Sequence, residues 1–87
     1  MSEESAIDFP CEFPIKMMGR DSAEFRVLVR SIVEEHTGAV DDSRVQTAVS
    51  RNGRFVSVTV TITATSQRQL DDIYEAATAH DDVLMAL

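Results

Sequence analysis

The 87-residue chain has a single cysteine, Cys11, so no disulfide can form within it, and a reducing compartment is the expectation. It has no tryptophan, one tyrosine and four phenylalanines. That is too few aromatics for the stacking platforms that single-stranded nucleic acid needs. Basic residues are scarce: eight against fifteen acids, with Lys16 the single lysine, for a net charge of −7. Such a surface repels duplex nucleic acid and anionic membranes, so neither is expected as a partner. No apolar run approaches the roughly 20 residues of a membrane-spanning helix. Met1 to Asp8 is acidic and has no apolar core, so no secretory signal and a cytoplasmic location are expected.

What the chain does have is one strong hairpin pattern, Val45 to Ala64. Asn52-Gly53 is a turn signal between two β-branched, alternating runs. It predicts a two-residue type I′ loop, with positive φ at both residues. Counting outward puts Arg51 opposite Arg54, Val49 opposite Val56, Thr47 opposite Val58 and Val45 opposite Val60. One face then carries valines, and the other carries Gln46, Ala48, Ser50, Phe55, Ser57, Thr59, Thr61 and Thr63. A slip of one residue would turn one strand's valines outward, so pattern and turn specify one register.

Before the hairpin, residues 1–11 lack periodicity and read as a flexible tail, with a single domain over 12–87. Glu12 to Met18 is the first strand, with Phe13, Ile15 and Met17 on one face. Pro14 cannot donate to a ladder, so either its N–H side lacks a neighbour or the regular strand begins after it. Asp21 is the expected N-cap of a helix reaching about His36, with Glu24 completing a capping box. Phe25, Leu28, Val29, Ile32 and His36 form its apolar stripe, and Gly38 ends it. Ala39 to Arg44 reads as a loop. Ser66 and Gln69 form a second capping box, opening a helix with the stripe Leu70, Ile73, Tyr74 and Ala77. Val83 to Leu87 is the last strand.

Strand, helix, strand, strand, helix, strand gives two β-α-β crossovers sharing a hairpin. The expected fold is α+β: a ferredoxin-like βαββαβ domain whose four-stranded antiparallel sheet has the order 4-1-3-2, with both helices on one face. The helices should cover Phe13, Ile15, Met17, Val45, Val49, Val56, Val58, Val60, Val83 and Met85. The open face should carry Lys16, Met18, Gln46, Ala48, Phe55, Ser57, Thr59, Thr61, Leu84 and Ala86.

These residues carry a resemblance. Phe9-Pro10, the segment Phe13-Pro14-Ile15-Lys16-Met17-Met18-Gly19, Gly53 with Val56 to Thr65, Tyr74, and the ending Val83-Leu84-Met85-Ala86-Leu87 together resemble the YbeD-like family of small bacterial proteins. The resemblance spans roughly Asp8 to Leu87. It implies the same βαββαβ fold, similar to the small-molecule-sensing ACT domains of amino-acid enzymes. It carries no catalytic residues over to this chain.

Two candidate sites follow from the topology. Gly19, Arg20, Arg51 and Arg54 fall at one end of the sheet, near the first helix's N-terminus, where a small anionic metabolite is favoured. Lys16, Met18, Ala48, Phe55, Ser57, Thr59 and Thr61 form an open face of small side chains with apolar patches, a candidate surface for a protein partner. The plainer readings are a solvated rim, with Arg20 paired to Asp81 or Asp82, and a wet sheet face on a monomer or weak homodimer. No cofactor or metal site is expected, because His80-Asp81-Asp82 would put three contiguous residues on one ion. An RNA-binding sheet is disfavoured because Phe55 is its one aromatic and the charge has the wrong sign. The functional expectation is a regulatory or adaptor domain rather than an enzyme, working by protein contact or metabolite sensing. The alternative is a minor enzyme or enzyme subunit using Cys11 or His80.

Overall fold

The computed structural model describes residues 8–87. The strands are β1 (Cys11–Arg20), β2 (Val45–Val49), β3 (Phe55–Ala64) and β4 (Met85–Ala86); the helices are α1 (Ala23–Thr37) and α2 (Gln67–Thr78). They form one antiparallel sheet in the order β2-β3-β1-β4, the expected 4-1-3-2 arrangement. Of the expected tail, residues 8–11 are among those described. Cys11 opens β1 opposite Ala64, and Phe9 packs against the core. The rest of the expected tail, residues 1–7, lies outside the described residues.

The hairpin register holds, with Val45 opposite Val60, Thr47 opposite Val58 and Val49 opposite Val56. The turn chemistry differs from the type I′ expectation. Only Gly53 has positive φ, +78°, so Asn52 does not adopt the mirror-image turn. The loop is Arg51 to Arg54, closed by the Ser50 N–H to Phe55 carbonyl bond at 2.8 Å. Within it the Gly53 N–H donates to Ser50 O at 2.9 Å. The Asn52 Oδ1 accepts from the Arg54 N–H at 3.1 Å, an Asx turn within the loop. Two-residue and four-residue loops about one centre bring the same residues face to face, so the register survives the change of turn.

β3 is the axis of the core. Val56, Val58, Val60, Ile62 and Ala64 alternate inward and are all buried. Each valine or isoleucine contributes roughly 1.5–3 kcal/mol of burial. Ile15 and Met17 meet them from β1. Phe25, Val29, Ile32 and Val33 cover them from α1, and Leu70, Ile73 and Ala77 from α2. Val33, Ile62 and Ala64 extend the core beyond the expected set, while Leu28, Tyr74 and Phe13 are only partly buried. Pro14 fits by parity: Lys16 and Met18 turn their backbone groups toward the β4 side, so Pro14 does too, beyond the pairs β4 makes.

Three expected placements are corrected. The N-cap of α1 is Ser22, whose Oγ accepts from the Phe25 N–H at 3.0 Å. Asp21 instead forms a forked pair with the Arg26 guanidinium at 2.9–3.1 Å, leaving the cap to its neutral neighbour. Val49 is 50% exposed: the helices cover the central strands, and sheet twist carries the edge strand β2 away from them. β4 is shorter than expected and out of phase. Ala86 pairs with core-facing Met17, and half-exposed Met85 pairs with Met18 on the open side. Leu84 is also exposed. Val83 to Leu87 contains no polar residue, so nothing in the pattern sets its phase.

Gly38 and Ser66 end and begin their helices as expected. The Gly38 N–H donates to Glu34 O at 2.9 Å with φ +83°, and Ser66 Oγ accepts from the Gln69 N–H at 3.1 Å. The remaining glycine, Gly19, is required for space. A Cβ there would lie 2.5 Å from the Phe25 ring and 2.6 Å from the Asp82 carbonyl oxygen. Because one obstacle is backbone, Gly19→Ala should destabilise the fold by about 1–3 kcal/mol, read as a lowered urea midpoint with an unchanged slope. Wild-type stability in that variant would show that Asp82 does not press on Gly19.

Candidate functional site

Two surfaces gather the residues singled out above. The first is a cleft of about 210 Å³ where β1 ends, α1 begins and the chain enters β4. Arg20, Ser22, Phe25, Asp81, Asp82 and Leu84 line it. Of the expected ligand set, Arg20 faces this cleft. Gly19 is buried beneath it against Phe25. Arg54 is tied alongside through its carbonyl, which accepts from the Asp21 N–H at 2.9 Å, and Arg51 is exposed on the hairpin loop. Neither Arg51 nor Arg54 lines the cleft. Among the described residues Arg20, Arg51 and Arg54 form no ion pair.

The lining therefore has one guanidinium, two carboxylates and a helix N-terminus with a neutral hydroxyl cap. Two nearby acids oppose a free anion. The volume is below the roughly 300–1,000 Å³ of drug-sized ligand pockets, so an occupant would be small. Sequence reasoning missed Ser22, Phe25 and Leu84. A serine directly after Asp21 was the available signal for Ser22.

The second surface is the open sheet face. Its rows run across three strands: Gln46, Thr59 and Lys16 in one, Ala48, Ser57 and Met18 in the next. Thr61 and Phe55 lie on the same face of β3, opposite Pro14 and Arg20 of β1. All seven expected surface residues share this face. A shallow hollow of about 210 Å³ runs between Met18, Ala48, Ser50, Phe55 and Ser57. The face carries Lys16 and Arg20 but no acidic side chain until Glu12 at its far end.

Glu12 closes that end. It accepts from Arg44 and, at 2.9 Å, from the Thr63 hydroxyl, tying β1 and β3 to the start of β2. The Arg44 bond, then the Thr63 bond, hold the Glu12 carboxyl below its ordinary range. Nearby, Glu34 accepts from the Val40 N–H at 2.8 Å and from Arg30, which lowers its pKa in that order of importance. Asp41 is lowered by the Ser43 hydroxyl and N–H.

The residues of the enzyme alternative stand apart. Cys11 is half-buried at the start of β1. His80 is exposed in the turn after α2, where its Nδ1 accepts weakly from the Asp82 N–H at 3.5 Å. Among the described residues no three His, Cys, Asp or Glu side chains are grouped to hold a metal ion, and no helix is long and apolar enough to cross a membrane.

The fold and these surfaces define a small ferredoxin-like α+β domain with one sheet face uncovered. A family model described as a protein of unknown function (DUF493) matches residues 4–87, and the chain belongs to that family. A UPF0250 protein of Nitrosomonas europaea is 46% identical over 87 residues, covering all of both chains. One from Paraburkholderia phytofirmans is 46% identical over 84 residues, covering 97% of this chain and 94% of its own. The solution structure of protein HP0495 from H. pylori superposes with a TM-score of 0.70 at 17% identity, covering 100% of this chain and 94% of that one. That likeness concerns the fold alone.

The lowered carboxyls give a signed expectation. A group whose folded pKa lies below its unfolded value stabilises the fold above the unfolded value and loses that contribution as pH falls through the folded one. For Glu12 and Glu34 the loss begins below the ordinary value of 4.5. Thermal melts should therefore show Tm falling with acidification from that point. Glu34→Gln should flatten part of that fall while lowering Tm near neutrality. An unchanged acid limb in the variant would exclude Glu34 as a contributor.

Proposed function

We propose that this chain is a non-catalytic regulatory or adaptor domain whose open sheet face receives a protein partner. One observation carries the reading. Fifteen of the 87 residues are acidic, yet between Ser50 and Thr61 the open face has none. Small hydroxyl and methyl side chains allow close approach, and Met18 and Phe55 border an apolar hollow. The cations Lys16 and Arg20 would meet a neutral or acidic surface.

Metabolite sensing is the second form of the proposal, and it falls on the end cleft. Opposed charges there suit a small molecule bearing both signs better than a simple anion. Its negative group would lie toward Arg20 and the start of α1, its positive group toward Asp81 and Asp82.

Thr59→Arg with Thr61→Arg should abolish capture of a partner from native lysate while leaving the melting curve within a few degrees of wild type, because both side chains stand on the uncovered face. Identical capture profiles for the variant and wild type would count against the open face. For the enzyme alternative, Cys11→Ala and His80→Ala should each complement a deletion strain fully. Failure of either well-folded variant would revive it.

A further inference from the structure

The edge strand β2 is uncommonly unguarded. Its odd residues, Val45, Thr47 and Val49, turn their backbone N–H and C=O groups away from β3, because Ser50 and its even-numbered neighbours bond to β3. No proline, lysine or inward charge blocks that edge, and Gln46 to Val49 are all exposed. The helix layer does not reach Val49.

The charges flanking the strand are asymmetric. On the side where the chain enters β2 lie Glu12, Glu34, Asp41 and Asp42, and among the described residues Arg30 pairs with Glu34 and Asp42 and Arg44 with Glu12. On the side where it leaves, Arg51 and Arg54 have no ion-pair partner among the described residues. Reversing a strand exchanges its ends, so an antiparallel copy would bring each acid-rich side to the other's Arg51 and Arg54.

The geometry points to a homodimer in which two copies pair their β2 edges antiparallel about a two-fold axis at Thr47, forming a continuous eight-stranded sheet. In that register Thr47 exchanges both backbone bonds with its counterpart. Val45 stands opposite Val49 of the copy, and Gln46 stands opposite Ala48. The exposed Val49 gains an apolar neighbour where its own helices leave it bare. Arg51, just past the end of β2, comes on the side of the copy's residues 41–44, which include Asp41 and Asp42. The contact is short, so the dimer is weak and concentration-dependent. It uses the strand edge and leaves the open face free, so it does not rest on the function proposed above.

Sedimentation equilibrium of the full chain from about 10 μM to about 1 mM should show a reversible monomer–dimer equilibrium that weakens with added salt. Thr47→Pro removes an outward N–H that β3 does not use, and should raise the dissociation constant at least about tenfold. Should that variant lose its fold, Arg51→Glu serves instead. Arg51 is exposed and bonds to nothing among the described residues, and its reversal should weaken the dimer about tenfold at low salt. Register is read by oxidation in a Cys11→Ala background. Thr47→Cys should cross-link far faster than Glu75→Cys on α2, because directly opposed Cα atoms about 5.5 Å apart fall within disulfide range. A monomer throughout the concentration range would overturn the proposal. So would equal cross-linking rates, or a dimer that neither Thr47→Pro nor Arg51→Glu weakens.

Discussion

β3 lies between two neighbours, and its pairing with each is the constraint on which everything else depends. Along ten residues it meets β1, and along five it meets β2. Its alternation of valine and isoleucine with serine and threonine divides the domain into a helix-covered core and an uncovered sheet. A slip of one residue on either side would reverse that division for the partner strand. The hairpin loop supplies the guard on one side. Its centre stays fixed although its local geometry is a hydrogen-bonded four-residue loop rather than a mirror-image turn.

From that division the two candidate surfaces arise differently. The open face is a direct consequence of alternation: small and hydroxyl-bearing residues at every second position leave an area without acidic side chains on an otherwise acidic chain. The end cleft is a consequence of packing. Gly19 lets the Phe25 ring and the Asp82 backbone close over β1, and what remains between Arg20, Ser22, Asp81 and Asp82 is the hollow. The first surface suits contact with a macromolecule, the second a small molecule of mixed charge. Both are compatible with the family and with the ferredoxin-like fold, which hosts many unrelated functions.

The strand order, the hairpin register, the cap at Ser66 and the glycine stop at Gly38 were legible because each rests on local chemistry: periodicity, a turn signal, a hydroxyl three residues before an amide. The seven open-face residues were legible for the same reason. The cap at Asp21 was misread because Asp21 and Ser22 are adjacent and equally suitable. Arg26, five residues on in the first turns of α1, draws the Asp21 carboxylate away and leaves the cap to Ser22. β4 was misread because an unbroken apolar run has no phase of its own.

The order of residues along the chain by itself determined a ferredoxin-like α+β topology, the pairing about Asn52-Gly53, and which side of β1 and β3 faces the helices. Those follow from period-two patterning and short-range hydrogen bonding, which act within a few residues. Only the folded arrangement decided that Val49 lies uncovered, that Ala86 rather than Met85 faces inward, and that Arg20 shares a cleft with Asp81 and Asp82. Each depends on how far a helix layer reaches across a twisted sheet, or on which distant backbone a glycine admits. Both are matters of three-dimensional packing that no spacing in the chain encodes.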